Sequence, residues 1–385
     1  MNKERFLITV FSLNGYHGSM MHVCELSKEL INLGYNVSIA TCRINKEIKK
    51  SIESNIGAKV YFFDDLPIDN TYKYVLAYHE PILTYLLAKG IQFDHLGIGS
   101  LSSFLDIETP SLLSLQSFPV FVHSKELAGK LKEHLKISNI KIIPNFVPQK
   151  FFDNKNKNTI LKKIAIVSNH IPEELLEAKT LLEQESYQVT IFGKGYTYKE
   201  ITPEVIEEYD IIISIGKTVQ YALAMGKPIY NYDIWGGCGY ITLDNIDITE
   251  YYNFSGRDNT NKKTAAEIKE EIISKHSLCL ENTEKLKEIA KNRYNIEKLT
   301  KEILQIFNTT DNQILNTPEW FIYKARCKQH GDELIQHREL AKNTYPQLKK
   351  LLSIYKFLNK ITLKKCFKNN IKNLENILEA TKNYL

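Results

Sequence analysis

The chain has 385 residues, 43% hydrophobic and 25% charged, with a net charge of +5. Its length exceeds one ordinary core and points to two or three globular domains. No apolar run approaches the ~18 residues of a membrane helix, and "FLITVFSL" at 6–13 lacks a small-residue cleavage site, so a cytoplasmic protein is expected. The six cysteines never fall at metal-ligand or Cys-x-x-Cys spacing, which argues against a zinc or redox motif.

In chain order, "RFLITVF" reads as a strand and "NGYHGS" as a loop. A helix follows with Val23, Leu26, Leu30 and Leu33 on one face, Ser19 as its N-cap and Gly34 past its end. "VSIAT", a helix around 45–55, "KVYFF", "YVLAYHE", "HLGIGS", "PVFVHS", a helix from Lys125 to about Leu135 and "IKIIPNF" continue the alternation. A polar stretch at 153–159 interrupts it, and the rhythm restarts with "KIAIVSNH", a helix from Pro172, "QVTIFG", a short helix near 203–208, "DIIISIG", a helix at 218–225 and "PIYNYD". Strand and helix alternating in this way predict two doubly wound α/β units with parallel sheets, whose ligands sit beyond the carboxyl ends of the strands. The expected boundaries are 1–148, 149–308 and a helical extension at 309–385.

That extension is basic. Residues 321–385 carry 14 Lys+Arg against 5 Asp+Glu, while the rest of the chain is net acidic. Leu348, Leu351, Leu352, Tyr355 and Leu358 recur at helical spacing with lysines between them. Such a stripe fits packing against the body or a second copy, or an anionic membrane surface at the inner face. Trp320, Phe321 and Tyr323 neighbour basic residues but belong to no recognisable nucleic-acid module, so nucleic acid is not the expected partner.

The loops after the strands hold the chemistry. Gly15 and Gly18 let the backbone approach a ligand, and His17 between them is a candidate base, with an ordinary turn as the alternative. His79 and Glu80 form an acid/base candidate pair or simply start a helix before Pro81. In the second unit, Asn169, His170 and Lys194 follow strands, and Gly216-Lys217-Thr218 opens a helix. The triplet resembles the end of an ATP-binding loop, but Ile211 occupies the place of the required upstream glycine, so a P-loop is excluded. Helix N–H groups and cations still suit a diphosphate, and no Asp-x-Asp cluster is present to hold a metal. Gly236 and Gly237 beside Asp233 and Trp235 read as a place where a sugar lies on the backbone and stacks on a ring, or as a tight loop. Arg257 is a further anion candidate.

These residues reach a resemblance. "IIISIGKT" with "ALAMGKPIY", "NGYHGSMMHVCELSKELINLGYNVSIAT" and "VFVHSKELAGKL…IKIIPNFV" resemble, in order, segments of family 4 glycosyltransferases with the GT-B fold, over roughly residues 1–300. The bacterial surface-polysaccharide type is the nearest in character. The resemblance implies two Rossmann-like domains facing a cleft, a nucleotide-sugar as co-substrate without a further cofactor, and a glycan or lipid-linked acceptor. It implies Gly216, Lys217 and Thr218 at the diphosphate with Tyr221 near the ribose. Family members usually carry two glutamates around this helix, whereas Ile213 and Tyr221 stand at the matching places. Stereochemistry is therefore open. A nucleotide-sugar epimerase of the same fold and a non-catalytic binding subunit stand as alternatives.

Overall fold

The structure, a computed structural model, describes residues 3–15, 18–67, 69–102, 110, 118–153, 160–310, 336, 339–340, 343–354, 356 and 368–382. By its internal contacts the chain divides into a body, Met1–Ile82 with Gln92–Asn312, and a smaller unit, Leu83–Ile91 with Gln313–Leu385.

In the body, β1 (Arg5–Leu13), β2 (Asn36–Ile44), β3 (Lys59–Phe62), β4 (Thr71–Tyr78), β5 (Gln92–Ser100), β6 (Val120–Val122) and β7 (Ile140–Ile142) form one sheet in the order β3-β2-β1-β4-β5-β6-β7. All pairings are parallel. Successive side chains of β1, Phe6, Leu7 and Ile8, are all fully buried, so both faces of the sheet are covered. The order turns back on itself between β1 and β4, which places the topological switch point there.

A second sheet comprises β8 (Lys163–Val167), β9 (Gln188–Phe192), β10 (Ile211–Ser214), β11 (Ile229–Asp233) and β12 (Gly236–Tyr240), in the order β12-β11-β10-β8-β9. The first four are parallel, and β12 runs antiparallel to β11. This corrects the expected ligand loop at Gly236 and Gly237, because the glycines form an edge strand. Gly237 has φ +150, and a Cβ there would sit 2.0 Å from the Asn231 carbonyl oxygen, so the missing side chain serves strand approach.

The helices of the body are α1 (Gly18–Asn32), α2 (Lys46–Ser51), α3 (Glu80–Ala88, whose later turns belong to the smaller unit), α4 (Lys125–Leu135), α5 (Glu173–Gln184), α6 (Pro203–Glu207), α7 (Lys217–Ala224), α8 (Ile246–Tyr251), α9 (Ala265–Leu280), α10 (Thr283–Tyr294) and α11 (Ile296–Thr309). Ser124 caps α4 by accepting from the Leu127 N–H at 3.2 Å, and Thr264 with Glu267 closes a capping box on α9. Ser19 lies inside the first turn of α1 instead of capping it. The helix expected at 45–55 is α2 continued by a π-helical turn at Ile52–Ile56.

The core of the seven-stranded sheet also takes in Ile296, Leu299, Ile303, Leu304 and Phe307. The α11 helix thus packs on the first sheet, although the sequence pattern assigns it to the second unit. It leaves the second sheet beside a backbone bridge between Val147 and Asn295. The chain therefore crosses between the two sheets twice, near 147 and near 295.

The smaller unit is helical at 343–354 and Lys368–Lys382. Leu374 and Leu378 are buried there, Leu351 and Ile354 are exposed, and Lys356 pairs with Glu375 at 2.6 Å. Trp320, Phe321, Tyr323, Tyr355 and Leu358 lie outside the described residues. No described helix is long and apolar enough to cross a membrane.

Candidate active site

The carboxyl ends of β8, β9, β10 and β11 open on one cleft of about 350 Å³, a size that suits a small molecule. Its wall carries Ser168, Asn169 and His170 after β8, Gly193 after β9, Gly216, Lys217 and Thr218 after β10, and Asp233 at the end of β11. From the seven-stranded half come Gly18 and Ser19 at the start of α1, His123 after β6, and Asn145. The first turns of α1 and α7 therefore line the same cavity from opposite sheets.

Local chemistry shapes this wall. Gly216 has φ +62 and no side chain caps α7; the Gly216 and Val219 N–H groups donate to the Phe254 and Gly216 carbonyls, which leaves those of Lys217 and Thr218 for a ligand among the described residues. Ser168 Oγ donates to Asp233 Oδ2 at 2.8 Å and accepts from the His170 N–H at 2.9 Å. Asp233 Oδ1 accepts from the Ile234 N–H at 2.7 Å, and burial raises the Asp233 carboxyl above the ordinary range despite these donors. Asn169 Oδ1 accepts from the Lys194 N–H at 3.0 Å, bracing two neighbouring loops. Their close approach requires Gly193, where a Cβ would meet the Ser168 carbonyl oxygen at 1.8 Å.

Asn169, His170, Gly216, Lys217, Thr218, Tyr221 and Asp233 all line this one cleft. Two of them have their polar ends engaged elsewhere. Lys217 Nζ lies 2.6 Å from Glu25 Oε2 of α1 and donates to the Phe146 carbonyl at 2.8 Å. Tyr221 donates its hydroxyl to Glu25 Oε1, and its ring stacks on Phe151 at 4.2 Å and 5°. Burial lowers the Lys217 ammonium from its ordinary value while Glu25 holds it up, and burial raises both Glu25 and Tyr221. The expectation that Lys217 presents its charge to a ligand is corrected by this geometry.

Other expected residues stand apart. Arg257 pairs through Nε and Nη2 with Glu126 of α4, so its guanidinium bridges the two halves and does not line the cleft. Lys194 is exposed beyond the cleft wall, Trp235 is 44% exposed at the β11–β12 turn, and Gly236 and Gly237 lie in β12. His79 is buried at the switch point with φ +67, and its Nδ1 accepts from the Phe11 N–H at 3.0 Å, which puts the neutral ring's proton on Nε2. Gly15 is buried under Tyr198, whose hydroxyl lies 2.5 Å from where a Cβ would stand. His17 and the side chain of Glu80 lie outside the described residues.

Glu25, His123, Asn145, Tyr198, Lys199 and Glu200 carry no motif that singles them out in the sequence, and Ser19 reads there only as a helix cap. His123 follows a strand by the same rule that selected the other loops. Glu25 had a fainter signal: it stands about one turn from the buried His22 of α1. Among the described residues no three His, Cys, Asp or Glu side chains gather as a metal site requires.

No family model matches the chain, and no curated protein matches it by sequence. Solved structures do match. A glycosyltransferase from Rickettsia africae superposes with a TM-score of 0.52 at 15% identity, over 80% of this chain and 98% of that one. A point mutant of S. aureus TarM in complex with fondaparinux, alpha-GlcNAc-glycerol and UDP gives 0.55 at 11%, over 80% and 100%. HepE from Anabaena in complex with UDP and glucose gives 0.52 at 12%, again over 80% and 100%. Two doubly wound sheets, a cleft at their carboxyl edges and these neighbours establish the GT-B fold.

Proposed function

We propose that the chain is a glycosyltransferase that moves a sugar from a nucleotide-sugar onto a glycan or lipid-linked acceptor in bacterial surface polysaccharide synthesis, on the cytoplasmic side. The observation that carries this reading is the meeting of two helix N-termini, Gly18–Ser19 and Gly216–Thr218, in one cleft between the sheets. Backbone N–H groups and the positive ends of both helices favour an anion there, and they would stabilise the charge a nucleoside diphosphate gains as it leaves the sugar. The neighbours named with UDP, and with UDP and glucose, support the same ligand class.

In this reading the second sheet holds the donor and the first offers the acceptor. The acceptor hydroxyl attacks the anomeric carbon, a base takes its proton, and the nucleoside diphosphate leaves. His17 and Glu80 are the candidate bases, and His79 at the switch point is a candidate acceptor contact. Closing the cleft against water would limit donor hydrolysis. Asn169 and His170 would meet the donor at the edge of β8, and Tyr221 serves from below by fixing the start of α7.

Calorimetry with UDP-, GDP- and CMP-linked sugars tests the reading, with micromolar-to-millimolar binding of one of them expected. No binding to any would favour a scaffold subunit. A free epimerised sugar formed from donor alone would favour an epimerase.

A further inference from the structure

The cleft wall presents several ionisable groups, and most are already engaged. Lys217 is held between Glu25 and the Phe146 carbonyl, and moving its ammonium to a ligand would strand a buried carboxylate. The Asp233 carboxylate is directed at Ser168 and the Ile234 N–H. Glu200 lies 4.0 Å from Lys150.

Lys199 differs. It lines the cleft, it is exposed, and its Nζ lies over the Phe192 ring at 5.2 Å from the centroid. Among the described residues no carboxylate lies within ion-pair distance of it. The ring face attracts the ammonium and keeps it at the cleft wall without neutralising it. Phe192 ends β9, which stands two strands from β10 in the sheet order. That separation is roughly 10 Å at ordinary strand spacing, a distance an extended nucleoside diphosphate spans from the start of α7.

We infer that Lys199, and not Lys217, is the cation that meets the diphosphate of the donor, with the first turn of α7 supplying neutral N–H groups and Glu25 keeping Lys217 out of the site. The inference rests on the donor reading above and names the residue that would neutralise the donor's charge. An exposed lysine held at the wall by a ring face is suited to this task. Already at the solvent-facing edge of the cleft, it meets the incoming anion at a smaller desolvation cost than a buried lysine would.

The test is calorimetric titration of the full chain with UDP, GDP, CMP, inorganic diphosphate and uridine, comparing the wild type with Lys199→Met and Lys194→Met. Lys199→Met is expected to weaken nucleotide binding by about tenfold, the effect of losing one charge-assisted contact. It should also make the affinity less sensitive to salt, while leaving uridine binding and the melting temperature unchanged. Nucleotide affinity within twofold of wild type in Lys199→Met, or the loss appearing in Lys194→Met instead, would overturn the assignment alone. A wild type that binds none of the nucleotides or inorganic diphosphate would remove the donor reading and this assignment with it.

Discussion

Two glutamates of the seven-stranded half reach across to cations of the five-stranded half, and their surroundings differ. Glu25 meets Lys217 with side chains only 9% and 8% exposed, and Tyr221 and the Phe146 carbonyl complete the group. Glu126 meets Arg257 nearer to solvent, where the arginine side chain is 21% exposed and Lys130 offers the glutamate a second cation at 2.7 Å. The first contact is an all-or-none arrangement, because each charge depends on the other. The second is replaceable, because water and Lys130 remain if Arg257 goes. Of these two ion pairs between the halves, one is thus brittle and the other forgiving.

The largest expected effect follows from the brittle link. Lys217→Met leaves the Glu25 carboxylate buried and unpaired and should lower stability by roughly 3–5 kcal/mol, read from denaturant unfolding. Adding Glu25→Gln removes the stranded charge and should restore much of that loss. If the double variant is as unstable as the single one, the contact is packing and not ion pairing. Arg257→Met should cost about 1 kcal/mol, since Glu126 keeps Lys130 and gains solvent. A loss as large as that of Lys217→Met would erase the distinction between the two links.

The smallest effect is a pH dependence. Burial, then the charges of Lys217 and His123, push His22 well below its ordinary 6.5. A depressed histidine contributes stability that is fully present above pH 6.5, its unfolded value, and is lost as the pH falls toward its folded value. Burial alone would raise Glu126, but Arg257 and Lys130 hold it below its ordinary 4.5, so its contribution has the same sign and fades only at lower pH. Glu25, raised by burial, acts in the opposite sense between its raised folded value and its ordinary 4.5. Stability should accordingly be level from pH 8 to about 6.5 and decline below, and His22→Phe should lack that first decline. An unchanged profile in that variant would remove His22 as its source.

Much of the fold is legible because strands buried on both faces are continuous apolar runs. "IIIS" and "RFLITVF" announce themselves, and the loops that follow them contain Asn169, His170, Gly216 and Thr218, all of which reach the cleft. What sequence spacing cannot convey is which charge is answered from the other half. Tyr221 and Glu25 stand 196 residues apart, and Lys217 looks like a phosphate ligand until its partner is placed beside it. The glycines at 236 and 237 are ambiguous for a related reason. A glycine that admits a ligand and one that admits a neighbouring strand look the same in one dimension.

Gly15 shows what such a missing side chain can govern. The Tyr198 hydroxyl rests where a Cβ of residue 15 would stand, and Tyr198 belongs to the loop that also carries Lys199. One methyl at position 15 would push aside the far end of that tyrosine, and so re-shape the cleft wall beside Lys199 without touching the Glu25–Lys217 pair.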